Sequence, residues 1–132
     1  MRKSVIILSL FFVTMMLACS KGPGVGGRAG IQGKVYAKNY NNSYIAVGSG
    51  FIGAQKVYIK YGDQEGVGDN VETDNTGTYV FPYLRTGKYT IYVFSKRLAN
   101  NTLDSIMVQN ITINDRKETV NAAQFNINTF KN

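Results

Sequence analysis

A single thiol and a complete lack of imidazole bound the chemistry open to this chain. Cys19 is the only cysteine, and histidine is absent from all 132 residues. Without histidine, the Ser-His-Asp and Cys-His nucleophile arrangements, His-ligated zinc and imidazole base catalysis are all excluded. Five of the eight acidic residues fall close together, as Asp63, Glu65, Asp69, Glu72 and Asp74. With Asn70, Asn75 and loop carbonyls they could offer oxygen ligands to calcium, which takes about six to eight. Their spacing matches no EF-hand loop, so a solvated polar loop is the preferred reading and calcium the weaker alternative. A noncatalytic protein with no cofactor and no resident metal is expected.

A second constellation is aromatic and cationic. From Gln55 to Tyr61, Val57 and Ile59 alternate with Lys56, Tyr58 and Lys60; further on, Tyr89, Ile91 and Val93 alternate with Tyr92, Phe94 and Lys96. Strand alternation sends the first member of each pair of sets inward and the second outward. Tyr58, Lys60, Tyr92, Phe94 and Lys96 then form an outward set. Flat rings beside cations can stack on a sugar or anchor a protein partner. Pairing across strands for stability, or cover by the segment Lys38 to Gly53, also explains them and is preferred.

The elements that must carry these side chains read as strands. Short runs of alternating apolar and polar residues are separated by Gly, Asn and Asp clusters, and no helical repeat is found. Ile31 to Ala37 places Ile31, Gly33, Val35 and Ala37 on one face. Lys38 to Gly53, rich in Asn, Ser and Gly, is long for a hairpin and is expected to be an insertion. A short strand at Val71 to Thr73 precedes the turn Asp74-Asn75-Thr76-Gly77. Tyr79, Phe81 and Leu84 make the next series, joined by Arg85-Thr86-Gly87 to the run through Tyr89, Ile91 and Val93. Ile106 to Ile113 and Thr119 to Thr129 add two more strands. Their apolar parity changes at Asn110 and at Ala122-Ala123, where bulges are expected. About seven strands at this spacing predict an all-β fold, an antiparallel sandwich with one core.

The N-terminus has a different character. Arg2 and Lys3 precede an apolar stretch from Val5 to Leu17 that ends at Ala18-Cys19. This is the layout of a secretory signal, and it is shorter than the roughly twenty apolar residues a membrane span needs. Residues 1–18 are therefore expected to be removed. The formal charge of +7 falls to +5 when Arg2 and Lys3 leave with them, a balance that favours anionic neighbours such as lipid headgroups or acidic glycans. Scattered Lys and Arg without a reader motif argue against nucleic acid. Ser20 to Gly30 is glycine-rich and is expected to be a flexible tether, which leaves residues 31–132 as the folded domain.

Two resemblances follow from these residues. Met16-Leu17-Ala18-Cys19 resembles a bacterial lipobox, with Met where Leu is more usual, and implies a Cys19 alkylated with diacylglycerol, left as the new N-terminus and holding the chain to a membrane. Gly33-Lys34-Val35, Gly53-Ala54-Gln55-Lys56-Val57-Tyr58-Ile59 and Thr73-Asp74-Asn75-Thr76-Gly77-Thr78-Tyr79-Val80-Phe81, with Leu84, Gly87, Tyr89, Ile91 and Val93, resemble carboxypeptidase regulatory-like domains. These are transthyretin-like sandwiches related to the B-type repeats of collagen adhesins. The resemblance implies that the strands bearing Tyr58 and Tyr92 are neighbours. Combined with the lipobox, it is similar to small lipoproteins of the Bacteroidetes. Ser20 after Cys19 resembles a signal for the outer membrane, and either face of that membrane is open. A fold does not fix a function. The hydroxyisourate hydrolase relatives need histidines and a C-terminal Tyr-Arg-Gly-Ser that this chain lacks. Lys34, outward by alternation, is badly placed for the adhesins' Lys-Asn crosslink. The expectation is a noncatalytic, lipid-anchored envelope module with a structural or binding role. The alternatives are a carbohydrate-binding accessory lipoprotein, or an adhesin or assembly subunit that binds a protein through a strand edge.

Overall fold

The alternation that begins at Ile31 extends further in both directions than its apolar residues indicate. In the computed structural model, which describes residues 21–102 and 104–131, β1 runs unbroken from Val25 to Tyr40. It is followed by β2 (Ala46–Phe51), β3 (Lys56–Tyr61), β4 (Asp69–Glu72), β5 (Thr78–Leu84), β6 (Gly87–Lys96), β7 (Asp104–Ile113), β8 (Thr119–Asn121) and β9 (Phe125–Phe130). These nine strands, with no helix among the described residues, form two sheets.

β1 is the spine of the first sheet. Along one side its N-terminal half pairs with β5 and its C-terminal half with β2, both antiparallel. Val35 marks the changeover: its amide donates to Gly77 O at 2.8 Å, and its carbonyl accepts from the Ile52 amide at 3.2 Å. Along the other side β8 and then β9 pair with β1 in parallel. The expected all-antiparallel arrangement therefore needs correction, because alternation identifies a strand but not the direction of its partner. The second sheet is antiparallel, in the order β4-β3-β6-β7.

The inner faces of both sheets close on one core. Ile31, Val35, Phe81, Phe125 and Ile127 of the first sheet meet Val57, Ile59, Tyr89, Ile91 and Val93 of the second, all buried. Burying each such side chain contributes roughly 1.5–3 kcal/mol relative to exposure. Among the described residues the Tyr79 hydroxyl, buried over Gly33, has no hydrogen-bond partner, and burial pushes its ionisation above the ordinary tyrosine range. Polar ties link the sheets at one side: the Asn128 amide donates to Ser95 Oγ at 2.9 Å, and Gln109 Nε2 donates to Ala123 O at 2.7 Å.

Three further expectations change. The glycine-rich segment is not a tether from residue 22 onward, because β1 begins at Val25 and Ala29 is buried. Its glycines permit contact: a Cβ on Gly27 would collide with the Leu84 carbonyl, and Gly26 sits at φ +107°. Lys38 to Gly53 is not an insertion but the β1–β2 hairpin. Asn41 Oδ1 ties its turn by accepting from the amides of Ser43 and Ile45 at 2.9 and 3.0 Å. The bulge expected at Asn110 is absent, since β6 and β7 pair through ten consecutive residues. The irregularity at Ala122-Ala123 is present. Between the pairs Gln32–Asn121 and Val35–Phe125 the C-terminal chain spends one residue more than β1.

Candidate binding face and strand edge

The outward set lies on the solvent side of the second sheet, because β3 and β6 are neighbours in the register that puts Tyr58 opposite Tyr92. Buried Val57 and Ile59 alternate with Tyr58 and Lys60; buried Tyr89, Ile91, Val93 and Ser95 alternate with Thr90, Tyr92, Phe94 and Lys96. The Tyr58 and Tyr92 rings stack with centroids 5.1 Å apart and planes 14° from parallel. Phe94 stands edge-on to both, at 5.5 Å and 5.9 Å. This is cross-strand pairing of the kind that stabilises sheets. The hairpin Lys38 to Gly53 belongs to the other sheet and does not cover the rings.

β7 extends this face with residues absent from the sequence-based set. Val108 lies opposite Tyr92 and Ile106 opposite Phe94, and they are 55% and 56% exposed. The result is an apolar centre between two polar rows. At one end Lys60, Thr90 and Asn110 lie side by side, with Thr90 Oγ1 and Asn110 Oδ1 3.1 Å apart. At the other end Lys96 Nζ and Asp104 Oδ1 form an ion pair at 2.7 Å. The parity change at Asn110 was the sign of this arrangement. It marks the point where β7 stops being apolar on its outer face and becomes apolar on its inner one, at Ile111 and Ile113.

The two edges of the sheet differ sharply. β4 is four residues long and has Asp69 and Glu72 at its ends, features that discourage pairing with another chain. β7 is ten residues long, and from Ser105 to Ile113 it contains no charge, proline or bulge. Among the described residues no strand pairs along its far side. Ile106, Met107 and Val108 are all exposed there.

The five clustered carboxylates do not converge. Among the described residues no group of three or more acidic side chains is placed to hold a metal ion. All five are exposed. Glu72 lies opposite Lys56, and Asp69 Oδ1 accepts from the Asn70 amide at 2.8 Å. Asp74 organises its own turn: Oδ1 accepts from Thr76 N, Thr76 Oγ1 and Thr78 N at 2.8, 2.6 and 3.1 Å. The Thr76 hydroxyl, followed by the two amides, holds the Asp74 carboxyl below the usual carboxylate range. Lys34 is exposed, with its ammonium 4.7 Å from the centroid of the Phe51 ring. Cys19 and residues 1–18 lie outside the described residues.

Comparison with protein-family models and with curated proteins finds no match for this chain.

Proposed function

We propose that this chain is a noncatalytic, lipid-anchored envelope module that receives an extended segment of a protein partner along β7. The single observation behind this is the uncharged edge of β7 from Ser105 to Ile113, with no strand paired on its far side among the described residues and continuous with the apolar face formed by Tyr58, Tyr92, Phe94, Ile106 and Val108. Strand addition draws affinity from main-chain hydrogen bonds and specificity from alternate side chains. Here Ile106 and Val108 would supply the contacts on the outer face and Met107 the contact on the inner one. A glycan platform is less well supported, because Tyr58 and Tyr92 spend ring faces on each other.

The lipid anchor rests on the lipobox-like Met16-Leu17-Ala18-Cys19. A transthyretin-like identity for the domain is part of the same proposal. It is supported by the β3–β6 adjacency and by Gly77 and Gly87 at φ +76° and +139°, the two turn glycines of the resemblance.

A photoreactive amino acid at Ile106 tests the reading in intact envelopes. The expected result is a crosslink to one envelope protein that a folded Met107→Lys, Val108→Lys variant no longer makes. A crosslink indifferent to those lysines, or none at all, removes β7 as the docking edge. Intact mass of the purified protein reports acylation of Cys19 separately.

A further inference from the structure

At the pole where the chain joins the fold, five cations surround one open cleft of about 730 Å³. One bulge and two turns build it. Val25 and Ala29 both pair with Leu84, so Gly26, Gly27 and Arg28 bulge out of the ladder and form one wall. Arg85 and Thr86, between β5 and β6, form the second wall. Arg116 and Lys117, between β7 and β8, form the third, and Lys21 reaches in from the preceding chain.

Every charged residue that lines the described cleft is a cation. No carboxylate lines it, and the one ion pair among the described residues is Lys96–Asp104, made by residues that line no part of it. Asp115 and Glu118 flank Arg116 and Lys117 in sequence, and their side chains serve the turn's own backbone. Asp115 Oδ1 accepts from Lys117 N at 2.9 Å, while Glu118 Oε2 accepts from the amides of Asn114 and Asp115 at 3.1 and 3.3 Å. Arg85 is already fixed, with Nε donating to Gly22 O at 2.7 Å and Nη1 donating to Val25 O. A guanidinium held this way can meet an anion without further ordering, and converging like charges favour one. The volume suits a ligand group larger than a single ion.

We propose that this cleft is a binding site for a terminal phosphate group, as presented by a monoester membrane headgroup or by free phosphate. Backbone reach favours the headgroup. Cys19 is two residues from Lys21, and two residues extend at most about 7 Å. That assignment of the source rests on the lipid-anchor reading; the phosphate site itself does not.

The protein purified in neutral detergent would be titrated with inorganic phosphate and, separately, with dihexanoyl phosphatidic acid. The readout is the amide signals of Gly26, Gly27 and Thr86 and the Arg85 Nε signal. Saturable shifts confined to these groups are expected, with affinity at least tenfold weaker in an Arg28→Gln, Arg116→Gln variant of unchanged melting temperature. Tenfold tighter binding of the lipid assigns the headgroup; equal or tighter binding of phosphate supports the site but assigns it to the free ion. Absent or unsaturable shifts with both ligands, or the same shifts with sodium chloride at matched ionic strength, overturn the proposal. Saturable binding by protein whose intact mass shows no acyl group keeps the site and removes the anchor.

Discussion

Asp74 shows how one side chain can organise a turn that its residue types only outlined. Asp, Asn and Gly at residues 74–77 suggested a tight turn, and Gly77 at φ +76° accounts for the glycine. The sequence did not reveal that the Asp74 carboxylate collects three hydrogen bonds. Those bonds favour the charged form, so the folded pKa lies below the ordinary 3.8. A depressed folded pKa contributes stability that is fully present above the unfolded value and lost as pH falls through the folded one. The melting temperature of the wild type should therefore exceed that of Asp74→Ala by a constant margin from pH 7 down to about 5. Below pH 4 the margin should narrow; one that held steady at pH 2.5 would show that the ionised carboxylate is not what the turn uses. Clustered carboxylates looked like one site in the sequence because spacing carries no direction. In the fold, Asp69 turns to the Asn70 amide and Asp74 to Thr76 and Thr78, while Glu72 lies across the ladder from Lys56.

At the scale of elements, inward and outward facing was the most legible property. Val57, Ile59, Tyr89, Ile91 and Val93 are buried where alternation placed them, and Tyr58, Tyr92 and Phe94 face outward. What alternation could not carry was pairing. β2 is exposed at almost every position and contains two glycines, so its sequence has no apolar period to read. The N-terminal end of β1 was obscured for a different reason. Its glycines look like a linker in composition, yet they are needed for the backbone to approach Leu84 and to bulge at Gly26. Arg85 holds this stretch through the carbonyls of Gly22 and Val25, and the Tyr89 hydroxyl accepts from the Gly24 amide at 2.9 Å and donates to Arg85 O at 2.6 Å. Hydrogen bonds from a charged donor are worth about 1.5–3 kcal/mol each when sheltered. Partial exposure lowers that here to roughly 1–2 kcal/mol for the pair. Arg85→Ala should accelerate amide exchange at Gly24 to Arg28 about tenfold or more, consistent with local opening. The amides of Ile59 and Ile91 should keep their protection. Equal acceleration at all of these positions would mean that the segment opens only with the whole domain.

Across the whole molecule, the first and last described strands complete each other. β1 opens the described fold and β9 closes it, and their parallel pairing runs from Val35–Phe125 to Tyr40–Phe130, across about ninety residues of sequence. Contacts this distant close late and make folding slow, in the range of roughly milliseconds to seconds for sheet proteins of this size. They also concentrate stability at the C-terminus. Phe125 and Ile127 are 2% exposed and face the core, with Phe125 tilted against Tyr79 at 6.2 Å. Removing a buried aromatic ring costs about 3–5 kcal/mol, against a total stability of roughly 5–15 kcal/mol for a domain. Phe125→Ala should therefore lose much of the stability measured by urea unfolding, whereas Phe51→Ala, on the exposed face of β2, should lose less than about 2 kcal/mol. The size of that contrast tests whether β9 belongs to the cooperative unit. If Phe125→Ala unfolded in two steps, with the β3–β6–β7 amides protected through the first, the sheets would be separable. Among the described residues, fifteen buried side chains in one hydrophobic cluster fed by both sheets make a single transition the expected result.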